Sequence, residues 1–151
     1  MSTARAEEID ALVASVHGLF QEDAGRHDRF MDTRWPMREG VAYYAGLVDD
    51  AHCLLALARD GDRVVGHLVG KLIEPDSIRQ ARFAVIESMR VQPQFRGQET
   101  GSLLVQEFFA WARRHGAVHA SVTAFAANEG AHRFYTRHGF TPMSVTMRAP
   151  V

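Results

Sequence analysis

Glycine, charge and an approaching helix meet in one short stretch of this chain. Gln94-Phe95-Arg96-Gly97-Gln98-Glu99-Thr100-Gly101-Ser102 joins an alternating apolar segment to one of helical apolar spacing. Backbone N–H groups in such a loop, with the positive end of the following helix, make a cradle for a diphosphate. No Gly-Lys-Ser/Thr follows, so it is not a Walker loop, and the glycine spacing of a dinucleotide fingerprint is missing. A tight turn between strand and helix accounts for the two glycines equally well. Upstream, Glu87 alternates with Met89 and Val91, which places the three on one face of a strand. A carboxylate there takes a proton from a substrate, or pairs with an arginine such as Arg90 or Arg82. Tyr135 stands beside Phe134 in a helical stretch, either as a proton donor or as a core aromatic with its hydroxyl at the surface.

The remaining reactive side chains point elsewhere. Cys53 is the only cysteine, which excludes an internal disulfide and a Cys-rich zinc site; it reads as a small core hydrophobe. Of the eight histidines, His115 and His119 are four apart, but Gly116 and a predicted helix end separate them. There is no HExxH pattern, so no metal is expected. His67 alternates with Val65 and Val69 and is either a core histidine or part of a cleft.

The elements that must position these groups follow from periodicity. Ile9, Leu12, Val13, Val16, Leu19 and Phe20 predict an amphipathic helix capped by Ser2 or Thr3. A polar stretch from Glu22 to Arg34 follows, and Val41, Tyr44, Ala45 and Val48 predict a second short helix. Arg59-Asp60-Gly61-Asp62 predicts a hairpin between Cys53–Ala58 and Val64–Ile73. Phe83 to Val91 predicts a strand that Pro93 ends, and Leu104, Val105, Phe108, Trp111 and Ala112 a helix stopped at Gly116. His119 to Phe125 reads as a strand, Asn128 to His138 as a helix with Gly139 past its end, and Met143 to Arg148 as a last strand. The order predicts an α/β fold: a mixed, mostly antiparallel central sheet flanked by helices, in one domain over residues 1–151.

Composition narrows the function. The 151 residues are 46% hydrophobic and 23% charged, the balance of a globular chain. Seventeen Lys plus Arg against 18 Asp plus Glu leave a net charge of −1, with no basic field for nucleic acid. No apolar run approaches the ~20 residues of a membrane span, and Met1 to Glu8 is charged where a signal peptide is greasy. A cytoplasmic location is expected.

Two blocks carry a family resemblance. Ser88-Met-Arg-Val-Gln-Pro-Gln-Phe-Arg-Gly-Gln-Glu-Thr-Gly-Ser-Leu-Leu104 resembles the acetyl-CoA loop of GCN5-related N-acetyltransferases, Gln/Arg-x-x-Gly-x-Gly/Ala after a "V-x-P" strand end. Asn128-Glu-Gly-Ala-His-Arg-Phe-Tyr-Thr-Arg-His-Gly-Phe140 is similar to that family's "N-x-x-A-x-x-F-Y-x-x-x-G-F". The chain departs from the pattern in two ways: Glu99 replaces the second Gly/Ala of the loop, and a helix opens the chain where the family has a strand.

The resemblance implies acetyl-CoA as co-substrate, a primary amine of a small molecule or peptide as acceptor, and direct transfer without metal. It implies that Met89, Arg90 and Val91 lie along the pantetheine arm, with Met89 N–H near the developing oxyanion. Arg96, Gly97, Gln98, Glu99, Thr100, Gly101 and Ser102 would hold the pyrophosphate, and Asn128 would touch the arm. Tyr135 would contact the cofactor and protonate the departing sulfur, while Glu87 would act as base. Asp28, Asp32, Trp35, Tyr43 and Tyr44 lie where the family builds its acceptor site, and acid with aromatic groups suits a cationic amine; a polar loop packed by one tryptophan is the other reading. The alternatives are an acyl-CoA-binding regulator without turnover, motivated by Glu99, and a subunit whose first strand comes from another protein. A homodimer is a further expectation.

Overall fold

The computed structural model describes residues 1–151. Five strands run in sheet order as they run in sequence: β1 (Ser2–Thr3), β2 (Cys53–Asp60), β3 (Arg63–Ile73), β4 (Phe83–Val91) and β5 (His119–Val122). The first three pairings are antiparallel and the β4–β5 pairing is parallel. Four α-helices of five residues or more accompany them: α1 (Ile9–Leu19), α2 (Val41–Ala45), α3 (Thr100–Arg114) and α4 (Glu129–Arg137).

The strand β2 shows why the sheet needs cover on both sides. Its apolar residues are continuous rather than alternating, as in strands buried on both faces. Leu54, Ala56 and Ala58 join Leu104, Val105, Phe108 and Trp111 of α3 in one core. Leu55 and Leu57 join Leu12, Val13 and Val16 of α1 and Tyr44 of α2 in a second. No helix is long and apolar enough to cross a membrane.

Several sequence expectations are corrected. The chain opens with a strand: Ser2 and Thr3 pair with Leu57 and Ala56, so β2 has its neighbour from within the chain and no strand needs to be borrowed. Those residues therefore do not cap the first helix; the Arg5 N–H donates to Glu8 Oε2 at 2.9 Å there instead. The helical rod also outlasts its apolar stripe, through a wider turn at Phe20–Ala24 and a last α-helical turn at Gly25–His27, so Glu22 and Asp23 are held rather than looped out. The last predicted strand does not form within the chain: residues Thr141 to Val151 make no backbone hydrogen bond. Alternation supplies a strand-like pattern, but a strand needs a partner.

Candidate active site

The site grows from two irregularities in β4. Along the β3–β4 ladder Ser88 faces Val69 while Ile86 faces Gly70, so Glu87 is an extra residue, a β-bulge. The bulge resets the alternation. Glu87 turns toward α2, Arg90 toward α1, and Met89 and Val91 toward the α3 core. Glu87 thus lies on the opposite face from Met89 and Val91, against the strict alternation read from sequence. The second irregularity is the end of β4–β5 pairing at Ile86 and Val122. From Glu87 onward the backbone of β4 has no strand on its β5 side, and a cleft opens toward the loop after Val91.

That loop is built to leave donors free. Gly97 sits at φ +74°, a conformation that favours glycine, with open space where a Cβ would point. Six consecutive backbone N–H groups, from Gly97 through Ser102, have no acceptor in the chain. They lead into the first turn of the 15-residue α3, where the helix dipole adds positive potential. Gly101 also lets α4 approach: the Phe134 ring lies 3.0 Å from where a Cβ would stand. Glu99 is exposed at φ −77°, an ordinary helical value, as the N-cap residue of α3.

Two arginines frame the cleft from the other face. The guanidinium of Arg90 lies across Gly18 of α1 and donates to Glu22 Oε1 at 2.6 Å. Arg96 donates to Glu22 Oε2 at 2.6 Å and to the Val91 carbonyl at 2.8 Å. Burial of Glu22 opposes its charge, yet the two arginines outweigh this and hold its carboxyl below the usual range. The Arg90 side chain is thereby committed to α1.

The opposite wall comes from α4. Asn128 caps it, its Oδ1 accepting from Ala131 N–H at 3.1 Å, while its Nδ2 donates to Asp23 Oδ1 at 2.9 Å. Asp23 also meets His27 Nδ1 at 3.1 Å, and the His27 ring stacks on Phe125 at 5.3 Å. Tyr135 directs its hydroxyl to within 3.7 Å of the Met89 sulfur, across the cleft from β4. Burial, with the Asp23 charge behind it, pushes its pKa up to about 12, so the phenol stays protonated.

Around Glu87 the partners differ from those expected. Lys71 of β3, rather than Arg90 or Arg82, pairs with Glu87 Oε1 at 2.8 Å, and the Tyr43 hydroxyl donates to the same oxygen at 2.6 Å. Burial works against the Lys71 charge, but Glu87 and Tyr43 raise its pKa above the ordinary lysine value. Oε2 of Glu87 carries no contact within the chain, and its side chain is 31% exposed. Trp35 packs edge-on against Tyr43 at 5.5 Å. Of the other acceptor-side residues, Tyr44 is buried in the α1 core, Asp28 pairs with Arg148, and Asp32 with Arg38. Those three serve structure.

Lys71, Glu22 and Asp23 escaped the sequence reading. A lone lysine among Val69, Leu72 and Ile73 was a signal; the two acids fell just past the last apolar residue of α1, where periodicity stops. Cys53 is partly buried, and burial with the nearby Asp50 charge pushes its thiol up to about 11, away from nucleophilic use. His67 is fully buried, its ring nitrogens 2.7 Å from Ser15 Oγ and 2.8 Å from Ser88 Oγ. It is the core histidine of the two readings.

Comparison with known proteins agrees with the fold. The tetramutant of the BH1408 protein from Bacillus halodurans superposes with a TM-score of 0.89 at 16% identity, over 99% of this chain and 98% of that one. A transcriptional regulator from Bacillus halodurans C-125 gives 0.80 at 22% identity over 99% and 97%. Ribosomal-protein-alanine N-acetyltransferase from Brucella melitensis biovar Abortus 2308 gives 0.71 at 14% over 98% and 98%. At these identities the likeness is one of fold. A sequence search of curated proteins finds no match. The model of the acetyltransferase (GNAT) family matches residues 13–140, and the chain belongs to that family.

Proposed function

We propose that this protein transfers the acetyl group of acetyl-CoA directly to a primary amine. The observation that carries the reading is the run of six unpaired N–H groups, Gly97 to Ser102, beside the open edge of β4. A diphosphate needs several donors and a positive helix end, and the loop supplies both. The open side of β4 suits an extended arm bearing amide groups, which docks as a strand does. Met89 and Val91 supply the backbone groups along the arm, Arg90 between them being turned to β3 and α1, and Asn128 borders it from α4. Acetyl-CoA supplies the activated acyl group.

Glu87, through its free Oε2, first takes a proton from the incoming ammonium, which frees the nitrogen lone pair to form the bond to the carbonyl carbon. Backbone N–H of Met89, two residues past the bulge, faces the negative charge that grows on the carbonyl oxygen. As the carbon–sulfur bond breaks, Tyr135 donates its proton to the departing sulfur, and the second proton shed by the acylated nitrogen restores the phenol. Its raised pKa does not bar this, since the burial that keeps a phenol protonated also raises the basicity of a thiolate beside it. Lys71 and Tyr43 hold Glu87 in place by fixing Oε1.

A panel of amines (polyamine, amino acid, peptide N-terminus, lysine side chain, aminoglycoside) incubated with acetyl-CoA and read by mass spectrometry tests this. Acetylated product is expected from at least one. Tyr135→Phe should then lower kcat about 10²-fold or more with the KM for acetyl-CoA nearly unchanged. Glu87→Gln should lower kcat/KM and erase its acidic limb. Binding of CoA with no product from any amine would leave the regulator instead.

A further inference from the structure

The C-terminal segment is a strand without a sheet, next to a sheet without a last strand. Phe140 stacks on Phe109 at 5.6 Å, and Arg148 donates to Asp28 Oδ2 at 2.9 Å. Between these two anchors Met143, Val145 and Met147 alternate with Ser144 and Thr146, the pattern of a half-buried strand. Yet Met143 is 95% exposed, Val145 80% and Met147 89%. No backbone N–H or C=O from Thr141 onward is hydrogen-bonded. β5, last in the sheet order, pairs only with β4 and has a bare outer edge. Exposed edges and exposed apolar strands are both liabilities that proteins cover.

From this we infer that two copies of the chain associate through this edge, the tail of each lying as an added strand along β5 of the other. With Phe140 and Arg148 anchored in this way, the tail makes no backbone bond to its own β5. A second copy supplies the missing pairing, because a two-fold axis lets one edge and one tail satisfy each other twice. The size suits such an interface. No residue from Arg113 to Val151 is buried, and the tail, β5 and the outer side of α4 together supply the about 20–30 residues per partner that stable interfaces use. A net charge of −1 sets up little repulsion between copies. The association would also brace α4, which carries Tyr135 and Asn128 and has no buried residue of its own.

The test combines mass in solution with backbone protection. Sedimentation of the wild type at tens of micromolar should give twice the chain mass. Thr146→Pro removes a ladder N–H from the tail. It should yield monomer that keeps the helical far-ultraviolet circular dichroism signal and loses only the contribution of the added strand, since the tail makes no intrachain backbone bond. Amide exchange at Met143–Arg148 and His119–Val122 should be slow in the wild type and fast in Thr146→Pro. A wild-type monomer, a dimer that survives Thr146→Pro, or a tail whose amides exchange freely in the wild type would each overturn the proposal.

Discussion

The two parts of the molecule on either side of the cleft are packed to different standards. Strands β1 to β4 with α1, α2 and α3 bury two cores, in which Leu12, Leu57, Leu68, Leu104 and Phe108 have no exposed surface. Beyond Ala112 nothing is buried. The candidate catalytic groups are divided between these parts. Glu87, Met89 and the N–H loop belong to the packed one, while Tyr135 and Asn128 belong to the loose one. Their link across the cleft is made by partly buried and polar contacts, among them Phe134 on Gly101, Phe140 on Phe109, Tyr135 on Met89, and Asn128 to Asp23. The comparison teaches that the α4 wall of the cleft is set by a few contacts rather than by a buried core of its own.

The largest effect that sharpens the contrast is a cavity. Phe108→Ala in the packed part should cost about 3–5 kcal/mol of stability, because the truncated ring leaves a hole its neighbours cannot fill. Val118→Ala, at a residue 65% exposed in the loose part, should cost within about 0.5 kcal/mol. Urea unfolding of both variants measures the difference, and equal costs would erase the distinction.

Next in size is a pH effect inside the packed part. Burial, then the charge of Arg90, holds His67 neutral with its pKa down at about 3. A free histidine protonates near pH 6.5, so below that value the unfolded chain takes up a proton that the native protein refuses. This contribution is complete above pH 6.5 and is lost as pH falls toward 3, by about 1.4 kcal/mol per unit. Urea midpoints between pH 7 and 5 should fall less steeply in His67→Gln than in the wild type. Parallel profiles would mean that the ring gains a proton in the native state.

The smallest effect lies at the cleft mouth. Glu99 is exposed and its backbone is unstrained, so only its charge opposes a diphosphate. Glu99→Gln should tighten CoA by about two- to five-fold at low salt, fading as salt rises. Glu99→Gly should do no better, since φ is already helical there. Tightening by glycine alone would show that the loop moves when it binds.

How much of this was legible in the sequence depended on the range of the forces involved. The hairpin at Gly61, the N-cap at Asn128, the loop at Gly97 and the stop at Gly116 are local turn chemistry, and they stand where the residues place them. The bulge at Glu87 could not be read, because counting by twos assumes that no residue is inserted; it exchanged the faces of Glu87 and Met89. Ser2 and Thr3 are equally good as caps or as strand residues, and the choice between them was made by β2, fifty residues away. The tail from Met143 to Arg148 has the right alternation for a strand, but alternation cannot say which chain supplies the neighbour. Lys71 became a partner of Glu87 only once β3 and β4 were in register.

The measurement that reaches the centre of the account is amide exchange at Gly97 to Ser102, with and without saturating CoA. These N–H groups have no acceptor in the free protein, so they should exchange quickly. With the ligand bound they should slow by about tenfold or more, equivalent to at least about 1.4 kcal/mol of protection. CoA binding that leaves all six unchanged would place the diphosphate elsewhere and contradict the site described above.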